Sequence, residues 1–289
     1  MGFPYVDANN PPGLRLPRSP RSVKVLREVS GGYTSARRCI VEHDGGGTGF
    51  LKQATDEDTA DWLASEQAAY RLLGPRPWLP AVLGAGDGWL LLEDLSGARW
   101  PPPWEPGDVD RARAVLDEVH GSTVEGFPRW EDTGIDLAKW ADVDVAAVAA
   151  LGVCSSGWLE AALPDLVAAD QAAVLVGTDL CHNDVRSDNL CFAADGQTVL
   201  VDWNWAAVGN GALDLVAWIP SLALEGGPRP AEALPDADPA LVALCAGFWA
   251  FHAPEPPPFP GSDLRTLQRR TLEVTLPWAA ERLGLPPPR

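Results

Sequence analysis

The hydrophobic pattern of the chain changes period about a third of the way along. Up to residue 97 the apolar positions come in short runs, several of them alternating with polar ones, and beyond it they recur at helical spacing. Alternation implies strands and a 3.6-residue repeat implies helices. Runs at 23–29, 36–43 and 48–54 predict three strands, separated by the glycine-containing turns Ser30-Gly31-Gly32-Tyr33-Thr34-Ser35 and Asp44-Gly45-Gly46-Gly47. Residues 56–73 predict a helix. Thr55 or Asp56 can cap it, and Glu57, Asp58 and Asp61 place negative charge near its N-terminus. Its apolar stripe runs through Trp62, Ala69, Tyr70 and Leu73, and Glu66 falls on that same face. Two further strands follow at 79–85 and 88–97, the second ending in a polar segment. In the remainder, helices are expected at 108–120, 136–151, 157–176, 212–224, 238–252 and 262–283. A strand-turn-strand at 189–193 and 197–201 interrupts them, turning at Asp195-Gly196. The first 22 residues, rich in proline, are expected to form a loose segment.

Composition narrows the class of protein. A chain of 289 residues with 46% hydrophobic content can bury a large core in more than one lobe. No apolar run approaches the length of a membrane span, so no membrane partner is expected. The opening residues show no basic segment followed by an apolar one, so no secretion signal is expected. Five scattered cysteines without a C-x-x-C pair fit buried thiols in a reducing cytoplasm, not a disulfide frame or a zinc site. The formal net charge of −18 argues against a nucleic-acid partner. It fits a cationic substrate drawn to an acidic cleft, and it is equally accounted for by solubility alone.

The densest chemistry lies in Cys181-His182-Asn183-Asp184-Val185-Arg186-Ser187-Asp188-Asn189 and in Asp202-Trp203 after the next strand. The spacing H-x-D-x-x-x-x-N is that of a phosphoryl-transfer catalytic loop. Such chemistry needs a carboxylate to orient the attacking hydroxyl and accept its proton, a role that suits Asp184. It also needs oxygen ligands to hold magnesium against phosphates, which suits Asn189 and Asp202. Asp214 opens a helix and is assigned a structural role, capping it or holding the loop backbone. His182 is expected to support the loop by hydrogen bonding, and Asp188 to face solvent or a local turn.

The strand-rich third supplies a second set. The turn carrying Gly32, Thr34 and Ser35 stands where a phosphate-covering loop would lie. It is poor in glycine, and hydroxyls and backbone N–H groups would have to take over phosphate binding. Lys52 sits in a buried-looking strand, and the acid Glu66 on an apolar helix face wants a cationic partner. The two together would make the lysine–glutamate pair that positions a nucleotide. Glu93, Asp94 and Leu95, at the end of the last strand of this region, would form a hinge, presenting backbone groups to adenine.

Taken in order, Lys52, Glu66, Leu92-Glu93-Asp94-Leu95-Ser96-Gly97, the 182–189 loop and Val201-Asp202-Trp203 resemble the aminoglycoside phosphotransferase/choline kinase superfamily across nearly the whole chain. The resemblance implies an α+β, two-lobed, protein-kinase-like fold. Residues 23–97 would form a small antiparallel-sheet N-lobe that binds nucleotide, and 98–289 a larger, mainly helical C-lobe with the acceptor site. It implies ATP or GTP as donor, Mg2+, and a small-molecule hydroxyl acceptor. An aminoglycoside or similar amino sugar leads as acceptor. Choline, macrolides, sugars and homoserine are alternatives, as is a catalytically silent binding protein. A monomer or weak homodimer is expected. Two features depart from the family pattern, the glycine-poor loop and Asn183, where glycine is usual. Trp203 and Trp205 could line the acceptor pocket, with core packing expected for at least one.

Overall fold

A computed structural model describes residues 23–29, 34–44, 46–258 and 261–288 of the chain. The N-terminal segment to residue 22 and the turn residues Gly31 and Gly32 lie outside the described residues.

Strands β1 (Val23–Glu28), β2 (Arg37–His43) and β3 (Gly47–Gln53) form an antiparallel meander. Helix α1 (Glu57–Leu73) follows, then the hairpin β4 (Val82–Gly86) and β5 (Trp89–Glu93). Because β5 returns to pair with β3, the sheet order is β1-β2-β3-β5-β4, antiparallel throughout. The two-residue side-chain period sorts this sheet into two faces. Cys39, Val41, Leu51 and Leu91 form a small cluster on one face. Leu90 and Leu92 join the main core on the other, with Ala69, Tyr70 and Leu73 of α1. Lys52, adjacent to Leu51 and opposite Leu90 in the pairing, therefore points toward the helix.

Helix α1 begins as its sequence directs. Asp56 is the N-cap, accepting from Thr59 N at 2.8 Å, and Thr59 Oγ1 in turn accepts from Asp56 N at 3.1 Å. This reciprocal cap satisfies two backbone donors that would otherwise be orphaned. Leu63, not Trp62, is the buried residue at the start of the stripe, and Glu66 is buried on it.

The C-terminal part holds α2 (Asp108–His120), α3 (Val145–Ala150) and α4 (Ser156–Gln171). Four short strands then make two antiparallel pairs: β6 (Asp179–Cys181) with β9 (Ala207–Gly209), and β7 (Leu190–Phe192) with β8 (Thr198–Leu200). The helices α5 (Ala212–Leu224), α6 (Pro230–Ala233), α7 (Pro239–His252) and α8 (Leu264–Leu283) complete the chain. Around α7, α8 and α4 lies a core that includes Trp140, Leu159, Leu166, Leu244, Leu272 and Leu276. Among the described residues no helix is long and apolar enough to cross a membrane, and all five cysteines are free and buried.

Two predicted helices are shorter than expected. Residues 136–151 divide into a 3₁₀ turn, Trp140–Asp142, and α3. The break is tertiary. Trp140 donates its N–H to Asp170 and its indole N–H to Ala243 O, while extended Val143 lets Asp144 cap a new helix through Ala147 N. The helix expected over 157–176 stops at Gln171. Beyond it, Asn210 binds Val174 O and Leu175 O, holding the 172–177 run along β9 with Val174 and Val176 exposed.

The two regions share a continuous interior. Trp78, between α1 and β4, accepts from Leu200 N at 2.9 Å and stacks on Trp203 at 5.1 Å between ring centroids. Arg99, just past the N-terminal region, exchanges two backbone hydrogen bonds of 2.9 Å with Phe192 of β7. The guanidiniums of Arg99 and Arg111 both lie over the Phe192 ring, and buried Asp108 accepts from both at 2.7 and 2.6 Å. Burial works against ionisation of Asp108, but Arg99, the Glu105 N–H and Arg111 outweigh it and hold the carboxyl at about 2.

Gly177 lies where the chain crosses β9 at contact distance, and an added Cβ would stand 2.1 Å from Gly209 O. Backbone cannot yield as a side-chain tip can. Gly177→Ala is expected to cost about 1–3 kcal/mol of unfolding free energy, measured as a lowered urea midpoint with unchanged slope.

Candidate active site

Three elements converge on the Lys52 ammonium. Its Nζ donates to Glu66 Oε1 at 2.8 Å and Oε2 at 2.9 Å, and also to Asp202 Oδ1. Lys52 and Glu66 are 6% and 3% exposed, whereas the Asp202 side chain keeps 37% of its surface exposed. Dehydration alone would drive the lysine toward neutrality. The charges of Asp202 and Glu66 reverse this and raise its pKa. For Asp202 burial pushes upward, but Lys52 prevails and keeps the carboxylate below its usual range. Glu66, deepest of the three, is raised because desolvation exceeds the attraction of Lys52. The lysine–glutamate pair expected from sequence is therefore present, with Asp202 as a third member.

The loop between β6 and β7 is held from beneath. Asp214, fully buried in the first turn of α5, accepts from His182 N at 2.8 Å and Asn183 N at 2.6 Å. His120 Nε2 meets the same carboxylate at 3.0 Å. His182, itself buried, bonds Val201 O through Nε2 at 2.9 Å and accepts from Asp184 N through Nδ1 at 3.2 Å. Burial lowers its pKa, which favours the neutral ring this pairing requires. Both structural roles expected from sequence, for His182 and for Asp214 as holder of the loop backbone, are met.

Two residues of the loop region adopt left-handed backbone, Asn183 with φ 62° and Asp202 with φ 66°. Glycine takes this conformation freely, and asparagine and aspartate tolerate it better than other residues. That explains how Asn183 can stand where glycine is usual. Its amide further secures the turn by donating to Trp205 O at 3.0 Å.

Asn189 Nδ2 donates to Asp184 O and Asp184 Oδ2, both at 2.9 Å. The amide oxygen of Asn189 is thereby turned away from Asp184. The Asp184 side chain keeps 25% of its surface exposed. Burial pushes its pKa up to about 7, against the pull of Arg186 and with the help of the Asp202 charge. Among the described residues no cluster of three His, Cys, Asp or Glu could form a metal cage by itself. Magnesium does not need one, since it takes one or two protein carboxylates plus phosphate oxygens and water. Asp202 and Asn189 offer oxygen donors of that kind, so the residues fit a magnesium–nucleotide complex.

Glu93 is exposed and pairs with Ala81, its N–H donating at 2.8 Å and its carboxylate accepting at 3.1 Å. Leu95 O accepts from Ala98 N at 3.0 Å and Trp100 Nε1 at 3.2 Å, which turns the chain after the proposed hinge. Ser35 gives its hydroxyl to Asp56 at 2.5 Å, and Thr34 accepts from Arg38. Neither is hydrogen-bonded to the Lys52 cluster. Trp203 is fully buried against His182 and Trp78, whereas Trp205 is 36% exposed.

Three further residues support the site. Arg186 binds both Asp184 and Asp188. Glu225, at the end of α5, accepts from Ser187 Oγ of the loop and from Trp104 Nε1 at 2.8 Å. Arg38 is paired directly with Lys52 across β2 and β3. Only Arg186 carried a local signal, being an arginine between two acids of the motif.

The geometry is that of a phosphotransferase with a kinase-type two-lobed fold. The phosphotransferase enzyme family (APH) matches residues 25–246, and the chain belongs to it, within the aminoglycoside phosphotransferase/choline kinase superfamily. The structure is similar to choline kinase LicA from Streptococcus pneumoniae, with 13% identity, TM-score 0.56, and coverage of 91% of this chain and 93% of that one. It is similar to aminoglycoside phosphotransferase APH(4)-Ia at 16% identity and TM-score 0.57, with the same coverage. A putative fructosamine-3-kinase from Thermobifida fusca matches at 21% identity and TM-score 0.53, covering 89% of this chain and 94% of that one. No curated protein matches the chain by sequence.

The His120–Asp214 contact makes loop support sensitive to pH. Burial opposes protonation of His120, but the hydrogen bond and charge of Asp214 outweigh it and raise its pKa above 6.5. A raised histidine pKa contributes stability that is fully present below about 6.5 and lost as pH rises through the folded value. The melting temperature of the wild type relative to His120→Gln is therefore expected to be highest near pH 6 and to shrink by pH 9. A difference that grows with pH would contradict the assignment.

Proposed function

We propose that this chain transfers the γ-phosphoryl group of ATP or GTP, with magnesium, to a hydroxyl of a small molecule, with an amino sugar of the aminoglycoside type as the leading acceptor. The observation that carries the reading is a pair of hydrogen-bonded groups, Lys52 with Glu66 and Asp202, and Asp184 with Asn189, near enough for the Asp202 charge to act on Asp184. Lys52, oriented by Glu66, binds the nucleotide phosphates. The backbone of residues 93–95 meets the base. Asn189 and Asp202 would hold magnesium, which would supply positive charge to the phosphates. Asp184 orients the acceptor hydroxyl and takes its proton, and a carboxylate with a pKa near neutrality is matched to that task. Little covalent help is needed beyond this, because positioning and charge stabilisation do most of the work in phosphoryl transfer.

The acceptor class is supported by charge and by analogy. A net charge of −18 favours encounter with cations. The structural relatives carry choline, fructosamine and hygromycin B in their names, and each of these compounds bears both a hydroxyl and a basic or cationic nitrogen. One relative was seen with AMP and another with ADP and hygromycin B, which supports a nucleotide donor.

The test is magnesium-dependent release of ADP or GDP across a panel of aminoglycosides, choline, macrolides, sugars and amino alcohols. Acceptor-stimulated turnover is expected. Asp184→Asn should lower it by at least about 100-fold while nucleotide affinity stays near wild type. Undiminished turnover in that variant would remove Asp184 as the base. Nucleotide binding without turnover on any acceptor would favour a binding protein.

A further inference from the structure

We propose that Arg186 is a further catalytic residue, whose guanidinium stabilises the phosphoryl group in flight and is aimed there by Asp188. The proposal rests on the phosphotransferase reading above, in which Asp184 meets the acceptor hydroxyl.

The geometry is specific. Arg186 Nε donates to Asp188 Oδ1 at 2.9 Å and its NH2 to Asp188 Oδ2 at 3.1 Å. This two-pronged contact fixes the plane of the guanidinium, as a single contact would not. The other terminal nitrogen, NH1, is thereby directed onto Asp184 Oδ1. The arginine side chain is 23% exposed, so it is anchored along the loop instead of extended into water.

A cation fixed on a general base lowers the base's proton affinity, so proton transfer alone does not call for one. The arrangement makes chemical sense if the cation also serves the group being transferred. The attacking oxygen must lie about 2.6–3.2 Å from Asp184, with phosphorus about 3–3.5 Å beyond it before the bond forms. A donor that touches Asp184 on the acceptor's side is therefore within reach of the phosphoryl oxygens. In the transfer step the acceptor oxygen bonds to phosphorus as the bond to the β–γ bridging oxygen breaks. The electron pair leaves with the nucleoside diphosphate, and the hydroxyl proton passes to Asp184. Charge stays spread over the three oxygens of the moving group, and NH1 donates to them. Asp188 is a positioning residue, acting through Arg186.

Calorimetry on the full chain tests this, with Mg·ADP alone and Mg·ADP plus aluminium fluoride, a mimic of the phosphoryl group in transit. Arg186→Ala is expected to keep Mg·ADP affinity within about threefold while losing about 100-fold or more of the aluminium fluoride complex, with kcat falling in parallel and the KM for ATP little changed. Asp188→Asn should give an intermediate loss with the same KM-against-kcat split. Should Arg186→Ala fail to fold, Arg186→Lys serves instead, since it keeps the charge but lacks the fork, and about a tenfold weaker aluminium fluoride complex is expected. Aluminium fluoride affinity and kcat within about threefold of wild type in Arg186→Ala would overturn the proposal, as would full aluminium fluoride affinity in Arg186→Lys should that variant stand in. If wild type binds neither Mg·ADP nor its fluoride complex, the phosphotransferase reading fails first and takes this one with it. If wild type binds both, the variants decide Arg186 alone.

Discussion

A lysine ammonium that is 6% exposed is the constraint on which the architecture turns. Burying such a charge costs several kcal/mol unless it is paired with good geometry. Lys52 meets that requirement only because Glu66 comes from α1 and Asp202 from the turn beyond β8. The β-sheet, the helix packed on it and the C-terminal half must all be in place for the charge to be tolerated. The rest of the junction serves that registration. Trp78 and Trp203 fill the space beneath, and Arg99 ties the exit from the small lobe to β7 through Phe192.

The loop carrying Asp184 is stabilised from its buried side, leaving its other side for chemistry. Asp214 binds two consecutive backbone N–H groups, and His182 closes the turn onto Val201. Asn183 and Asp202 hold left-handed backbone although neither is glycine. Such positions persist when the surroundings over-determine them, and here hydrogen bonds from Asn183 to Trp205 and from Lys52 to Asp202 do so. The strain therefore sits beside the groups proposed to act, on a scaffold that can carry it.

Much of this was legible in the residue order. The period-two runs gave the sheet, and the acid on an apolar helix face announced its need for a cation. The 182–189 spacing located the loop, while His182 and Asp214 were recognisable as support. The helix starting after Asp56 and the burial of Glu66 follow from side-chain chemistry within four residues, which is the range over which sequence pattern is informative. Two helices were drawn too long because their ends are decided elsewhere, by Asp170 and Ala243 on Trp140 and by Asn210 on the 172–177 segment. No local signal reports such partners.

By itself the sequence determined most of the element types, the loop motif and which polar residues could not be left alone in the interior, because propensity, capping and periodicity are short-range. Only the tertiary structure decided which partners those residues found. That Lys52 has a second carboxylate in Asp202, 150 positions away, that Arg186 bridges the proposed base and Asp188, and that Ser187 leans on Glu225 are facts of three-dimensional proximity. Electrostatic pairing acts through space over a few ångströms, and a linear chain does not state which of its 40 acids will arrive within that distance.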